Sequence, residues 1–334
     1  MAGIKRKVSA LTREISYKIC LLRSLLGNFR PAGSGTILPT VIQLQTYNRC
    51  NGSCVICPYP ATTAARPEQY LPRDLFDKII SEITGWQQTG PRPGTLVLSL
   101  QNEPLLDNRL ESFIQQARRQ LPADWKIEIV TNGTLLDGER SAHLAACPPD
   151  HLSVSLNAFN ASTYTRLMPR FRMDTVLQNI NQLLTVRQLR TGFILRFIKH
   201  TANAGEYRRF KRYWNKRGVP VYSYPANNRA GSCLDYPVTR FRYPAIITRL
   251  LQGLSRLLIP ACPLLFTQAS ITAAGDVLLC CNDYRNQAVM GNLQHNSLAE
   301  IFNAKPYQTI RKQALEGKYA GICKQCSVFR EWIS

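Results

Sequence analysis

The stretch YNRCNGSCVICPYP carries three cysteines, Cys50, Cys54 and Cys57, in a C-x3-C-x2-C array. Thiolates so close in sequence, on a loop with Gly52 to let it bend, can point at one centre. Four thiolates close a tetrahedral zinc site, whereas three leave a metal centre one ligand short. On a [4Fe–4S] cube, which normally takes four cysteines, three would leave one iron open to a substrate or cosubstrate. A zinc site completed from elsewhere in the chain is the other reading of the same array. A second group, Cys262, Cys280, Cys281, Cys323 and Cys326, lies in the tail and ends in C-x2-C. Taken alone, that group suits a zinc ribbon. Eleven cysteines in 334 residues are not the disulfide framework of a small secreted domain, and the chain shows no secretory signal. Metal binding under reducing conditions, hence in the cytoplasm, is the expectation.

The elements that must hold these cysteines alternate. TVIQLQTY, TLVLSL, KIEIV, LSVSL, GFILRFI and VPVYSYP have the β-branched and apolar content of strands. Between them RDLFDKIISEITGW, RLESFIQQARRQL, DTVLQNINQLLTVRQL and EYRRFKRYWNKRG have helical periodicity. Six strands alternating with helices imply parallel pairing through right-handed crossovers, in a barrel or an open sheet. In both, chemistry collects at the C-terminal ends of the strands. The first cysteine array directly follows the first strand.

At this point the sequence resembles the radical S-adenosylmethionine (SAM) family, whose signature is C-x3-C-x2-C after the first strand of a partial (β/α)6 barrel. The resemblance implies that Cys50, Cys54 and Cys57 hold a cluster whose open iron is chelated by SAM. One electron would then cleave SAM to a 5′-deoxyadenosyl radical that takes a hydrogen atom from a substrate. The family's Gly-Gly-Glu-Pro-like stretch is replaced here by Gln101, Asn102, Glu103 and Pro104, without the two glycines. The same resemblance assigns SAM contacts to Gln101, Asn102, Glu103, Thr131, Asn132, Ser153, Ser155 and Asn157, all near strand ends. Arg196, a cation inside an apolar strand, needs a partner. The SAM carboxylate and a structural ion pair are equal candidates.

The tail resembles the auxiliary-cluster region of SPASM and twitch radical SAM enzymes, and its spacing is similar to that of the single-cluster twitch domain of an aminocyclitol dehydrogenase. On that likeness Cys262, Cys280, Cys323 and Cys326 hold one auxiliary [4Fe–4S] cluster. Gly275 precedes Cys280 in a G-x4-C hairpin pattern, but Cys280 and Cys281 could exchange roles. Cys281, if spare, is a candidate hydrogen-atom donor to a substrate radical. Cys233 is a second leftover thiol, and Cys20 and Cys147 have weaker claims. Arg229 and Asn228, in NNRAG after the sixth strand, face the cavity mouth or merely turn the chain.

The expected organisation is a basic amphipathic helix and linker (1–36), a partial barrel (37–231), and a connecting helix with an auxiliary cluster domain (232–334). Net charge is +21, which attracts an anionic partner. Eight Lys/Arg against one Glu in the first 49 residues, together with the segment YPAIITRLLQGLSRLLIP, suggest peripheral contact with an anionic surface such as the inner membrane. No run is long and apolar enough for a membrane span.

Three functions compete. The first is hydrogen abstraction from a sugar or aminocyclitol-type metabolite, free or carrier-linked and anionic, for oxidation or epimerisation. The second is peptide modification; only 49 residues precede Cys50, few for a leader-binding domain, which lowers it. The third is a non-catalytic metal protein binding nucleic acid, which leaves the three-cysteine array unexplained. Nucleic acid is therefore not the expected partner. A radical enzyme further requires a low-potential reductant such as flavodoxin or ferredoxin.

Overall fold

The computed structural model describes residues 36–86, 93–190, 192–233 and 261–327. The amphipathic segment near the N-terminus, Cys20, and the segment 243–260 lie outside the described residues.

Six parallel strands form in chain order: β1 (Val41–Leu44), β2 (Gly94–Val97), β3 (Trp125–Thr131), β4 (His151–Ser155), β5 (Phe193–Lys199) and β6 (Val221–Pro225). Their spatial order is monotonic. Right-handed crossovers of one sense put every helix on the same face, and a sheet covered on one face curls toward a barrel. The helix-facing side of the strands is accordingly apolar: Ile42, Leu44, Leu96, Ile127, Ile129, Leu152, Val154, Leu195 and Phe197 are buried. Helix Arg73–Gly85 answers with Leu75, Phe76, Ile79, Ile80 and Ile83 on one stripe. Helix Tyr207–Lys216 is strongly basic yet buries Phe210 and Trp214, with Phe210 tilted against Phe197 at 4.8 Å.

The segment DTVLQNINQLLTVRQL is two helices, Met173–Leu183 and Arg187–Arg190, not one. Helices Gly138–Ala146 and Ala161–Leu167 were not anticipated. The first had a readable start: Asp137 caps it by accepting from the Arg140 backbone N–H at 2.8 Å.

The tail continues the barrel sheet. Strand β7 (Gln268–Ile271) pairs in parallel with β1, and β8 (Asp276–Leu278) and β9 (Val289–Asn292) add antiparallel strands outside it. Gly275, at φ +84°, supplies the left-handed turn between β7 and β8. Helix Leu298–Asn303 starts on a capping box of Ser297 and Glu300. Arg311, 4% exposed, donates to the carbonyls of Leu265 and Phe302 and stacks on Phe302 and Tyr307. It pins the last helices under the sheet, which carries Cys323 and Cys326 back toward Cys262.

Candidate functional site

The loops after β1, β2 and β3 are laced together. The Glu103 backbone N–H donates to the Arg49 carbonyl at 2.8 Å, next to the first cysteine. The Glu103 carboxylate accepts from Thr131 Oγ1 (2.6 Å), the Asn132 N–H (2.8 Å) and the Leu105 N–H (3.1 Å). Asn132 Nδ2 donates to Asn51 Oδ1 at 2.8 Å, and Asn51 Nδ2 donates to Thr134 Oγ1 at 3.0 Å. Asn51 lies inside the cysteine array, so this lattice holds the array from two neighbouring strands. Glu103 is buried, and desolvation raises its pKa to about 7 despite the three donors.

Within the array the Gly52 N–H donates to Cys50 Sγ at 3.3 Å. A Cβ at 52 would lie 3.0 Å from the Phe171 ring, so a larger residue there would have to push the ring aside. Burial raises the thiols of Cys50 and Cys54, the latter to about 12, and the neighbouring thiols push in the same direction. Thiols raised this way ionise when a metal takes the place of the proton.

In the tail, Cys262, Cys323 and Cys326 influence one another, and Cys262 also feels Cys281. Cys280 and Cys281 are neighbours that act on each other electrostatically: the adjacent Cys281 thiol and burial raise the Cys280 thiol, while Cys280 lowers that of Cys281. Asn282 donates to Cys280 Sγ from its backbone (3.5 Å) and its side chain (3.7 Å). Cys281 instead meets Gln268 and the charge of Arg229. Both tail candidates therefore stand beside Cys262, but only Cys281 meets the polar face of β7.

One zinc ion would draw its thiolates to about 3.8 Å apart, given Zn–S bonds of about 2.3 Å. Among the described residues no three His, Cys, Asp or Glu are gathered to hold a metal ion. The thiols influence one another within each array without forming such a single-ion site.

The face of the sheet away from the helices is polar. The strand registers put Gln43, Glu128, Ser153, Ser155, Arg196, Tyr222, Gln268 and Ser270 on it. Ser153 Oγ donates to Glu128 Oε1 at 3.1 Å, and Arg196 reaches across β4 to pair with the same carboxylate. Arg196 also lies over the Tyr222 ring at 6.0 Å. Gln268 Nε2 donates to Gln43 Oε1 and Ser270 Oγ, both at 3.2 Å.

These contacts sort the sequence candidates. Gln101 bridges Thr63 and the Asp283 carbonyl. Asn157 accepts from the Ile198 N–H at 2.9 Å and is 2% exposed. Thr131, Asn132 and Ser153 have protein partners, and Arg196 has the ion pair. Two groups are left for a ligand. Asn102 Nδ2 is buried without a partner while its oxygen accepts from the Leu100 N–H. The Ser155 hydroxyl, half-buried on the polar face, has no partner among the described residues. An orphaned amide donor after β2 and an open hydroxyl at the end of β4 fit a polar cosubstrate such as SAM.

Several functional neighbours were not singled out from sequence: Asn51, Glu128, Tyr222, Gln268, Asn282 and Tyr284. Glu128 had a signal, a lone carboxylate in an apolar strand two strands from the lone cation Arg196. The others had none, since their roles depend on which loops meet.

The radical SAM superfamily model matches residues 44–203, and the iron–sulfur cluster-binding SPASM domain matches residues 262–327. The chain belongs to the radical SAM superfamily. It is a radical SAM enzyme with a C-terminal SPASM domain, and these domains imply SAM, a SAM-binding [4Fe–4S] cluster and auxiliary iron–sulfur binding. A structure of BtrN in complex with AdoMet and 2-DOIA aligns with TM-score 0.54 and 19% identity, over 86% of this chain and 93% of that one. Streptococcus suis SuiB bound to precursor peptide SuiA aligns with TM-score 0.61 and 14% identity, over 82% and 67%. The anSMEcpe enzyme with bound AdoMet aligns with TM-score 0.61 and 13% identity, over 89% and 85%. At these identities the likeness is one of fold. GTP 3′,8-cyclase of Synechococcus sp. (strain CC9902) is 30% identical over 129 residues, 38% of this chain. The chain thus matches about a third of that relative's length (34%). No helix among the described residues is long and apolar enough to cross a membrane.

Proposed function

We propose that this radical SAM enzyme abstracts a hydrogen atom from a polar metabolite, of sugar or aminocyclitol type, and oxidises or epimerises it. The observation that carries this reading is the polar face of the sheet. Glu128, Ser153, Ser155, Arg196, Tyr222, Gln268 and Ser270 line it with polar donors and acceptors. The near-complete coverage of BtrN, crystallised with 2-DOIA, supports the same class.

In this reading Cys50, Cys54 and Cys57 hold the SAM cluster. Cys262, Cys280, Cys323 and Cys326 hold an auxiliary [4Fe–4S] cluster within 232–334. The bound clusters and SAM supply one-electron cleavage of SAM and the hydrogen abstraction that follows. Asn102 and Ser155 orient SAM. Glu103 positions the cysteine loop with Thr131 and Asn132 behind it, while Gln101, Asn157 and Ser153 brace the neighbouring strand ends. Arg196 holds Glu128 in place on the polar face. Cys281, turned toward Gln268 and Arg229, is the thiol placed to return a hydrogen atom in an epimerisation. A low-potential flavodoxin or ferredoxin is the expected reductant. Cytoplasmic location with peripheral membrane contact accords with the basic segments.

Peptide modification is the second reading, favoured by the fold likeness to peptide-bound SuiB. Deuterium oxide separates the products: solvent deuterium at otherwise unchanged mass marks epimerisation, and loss of two hydrogens marks oxidation.

The first experiment is an iron count on anaerobically reconstituted protein. The expected result is about eight irons per chain. It falls to about four, with SAM cleavage lost, in the Cys50/Cys54/Cys57→Ala variant. Cys280→Ala also falls to about four, whereas Cys281→Ala keeps eight. Zinc in the tail, or iron lost from Cys281→Ala and not from Cys280→Ala, would overturn these assignments.

A further inference from the structure

We propose that Arg229 is the receptor for an oxyanion, a phosphate or carboxylate, carried by the substrate. The inference rests on the radical SAM reading for the place of the substrate, but not for the anion site itself. Arg229 follows β6 and stands between the two cysteine arrays: Cys57 and Cys281 are both near enough to feel its charge. Its Nη1 donates to Asn282 Oδ1 at 3.1 Å, and its guanidinium lies 6.0 Å from the centroid of the Tyr284 ring. A neutral amide and an aromatic face fix the direction of the fork without neutralising it. No carboxylate pairs with it among the described residues.

Other enclosed arginines here are spoken for. Arg196 has Glu128 and Arg109 has Asp107; Arg311 has two carbonyls and three rings, and its one unpartnered nitrogen, Nη2, is sealed in the core where the residue is 4% exposed. Arg66 donates to the Tyr284 carbonyl and has Asp283 and Asp276 nearby. A guanidinium has five donors, and a half-buried one with a single side-chain hydrogen bond among the described residues has a fork left for a planar or tetrahedral oxyanion.

The backbone supports the same conclusion. Arg229, Ala230 and Gly231 run at φ +47°, +52° and +85°. Only the last is a glycine, so two residues with a Cβ hold a left-handed conformation that L side chains disfavour. Neighbouring contacts enforce it. The Asn228 N–H donates to Ser327 Oγ (3.0 Å), the Ser327 N–H donates back to Asn228 Oδ1 (2.9 Å), and Asn228 Nδ2 donates to the Gln325 carbonyl (2.6 Å). This turn aims an arginine at the space between the arrays, where strain marks a functional demand. The substrate is therefore anionic, as the net charge of +21 also favours.

The test uses anaerobically reconstituted holoenzyme at fixed ionic strength. Inorganic phosphate and acetate are titrated separately by calorimetry into wild type, Arg229→Gln and Arg229→Lys, each with and without SAM. The expected result is saturable binding of at least one anion to wild type with SAM present. Arg229→Gln weakens it tenfold or more, Arg229→Lys less, and all three proteins carry equal iron. The stronger anion tells phosphate from carboxylate substrates. Equal binding by wild type and Arg229→Gln, or no saturable binding to wild type, overturns the proposal. So does loss of iron from both variants, which would make Arg229 a counter-ion of the clusters. Loss of the wild-type site on adding SAM also overturns it, because the occupant would then be the SAM carboxylate. Wild type that binds anion but cleaves no SAM would strike the proposed radical reaction and leave the anion site standing.

Discussion

The Cys57 thiol and the Tyr284 phenol, 227 residues apart in sequence, are hydrogen-bonded at 3.8 Å. The segment from Cys280 to Tyr284 thus touches both cysteine arrays, Cys280 through Asn282 and Cys57 through Tyr284. With Cys57 as a thiolate the phenol becomes the donor, and hydrogen bonds to ligand sulfur stabilise the more negative, reduced cluster.

Removing that donor should make the SAM cluster harder to reduce. Tyr284→Phe keeps the ring that flanks Arg229 and loses only the hydroxyl. Its one-electron potential is expected to fall by roughly 50 mV, close to the 59 mV that marks a tenfold change. A redox titration followed by electron paramagnetic resonance reads this directly. An unchanged potential would mean that the phenol does not donate to the cluster ligand.

The Glu128–Arg196 pair should be costly to break on one side only. Their side chains are 6% and 16% exposed, so Glu128→Gln leaves a largely desolvated cation without its counter-charge. The expected loss is about 3 kcal/mol in anaerobic urea unfolding. The double variant Glu128→Leu/Arg196→Met, which removes both charges, should lose clearly less. Equal losses in single and double variants would show that packing, not charge, is what matters there.

Glu103 should give the protein an identifiable pH dependence. Its pKa is raised from 4.5 to about 7, chiefly by burial. Between those values the folded chain keeps a proton that the unfolded chain has released. Stability therefore falls as pH rises from about 4.5 to about 7, by about 3 kcal/mol if the full shift is expressed, and this contribution is flat above. Glu103→Gln should be less stable at pH 5, because its amide cannot accept from both Thr131 and the Asn132 N–H. It should lack the slope. Urea midpoints for both proteins between pH 5 and 8 decide it; parallel curves would rule Glu103 out as the titrating group.

The sequence by itself determined the alternation of elements and the chemistry of the cysteines. Strands β1 to β6 lie within one to three residues of their expected segments because a two-residue or apolar pattern survives in any context that covers one face. C-x3-C-x2-C after β1 pointed to the family because that spacing is a local property of one short loop. Tertiary structure decided what long-range pairing controls. That β7 joins β1, so the auxiliary region extends the barrel sheet, follows from edge hydrogen bonds that no local pattern encodes. That Thr131 and Asn132 serve Glu103 and Asn51, while Asn102 and Ser155 remain open, depends on which strand ends meet. Arg229 was visible as one basic residue in a turn. That no carboxylate among the described residues pairs with it is a property of the surrounding loops, and charge becomes a binding site only when the fold withholds the counter-charge.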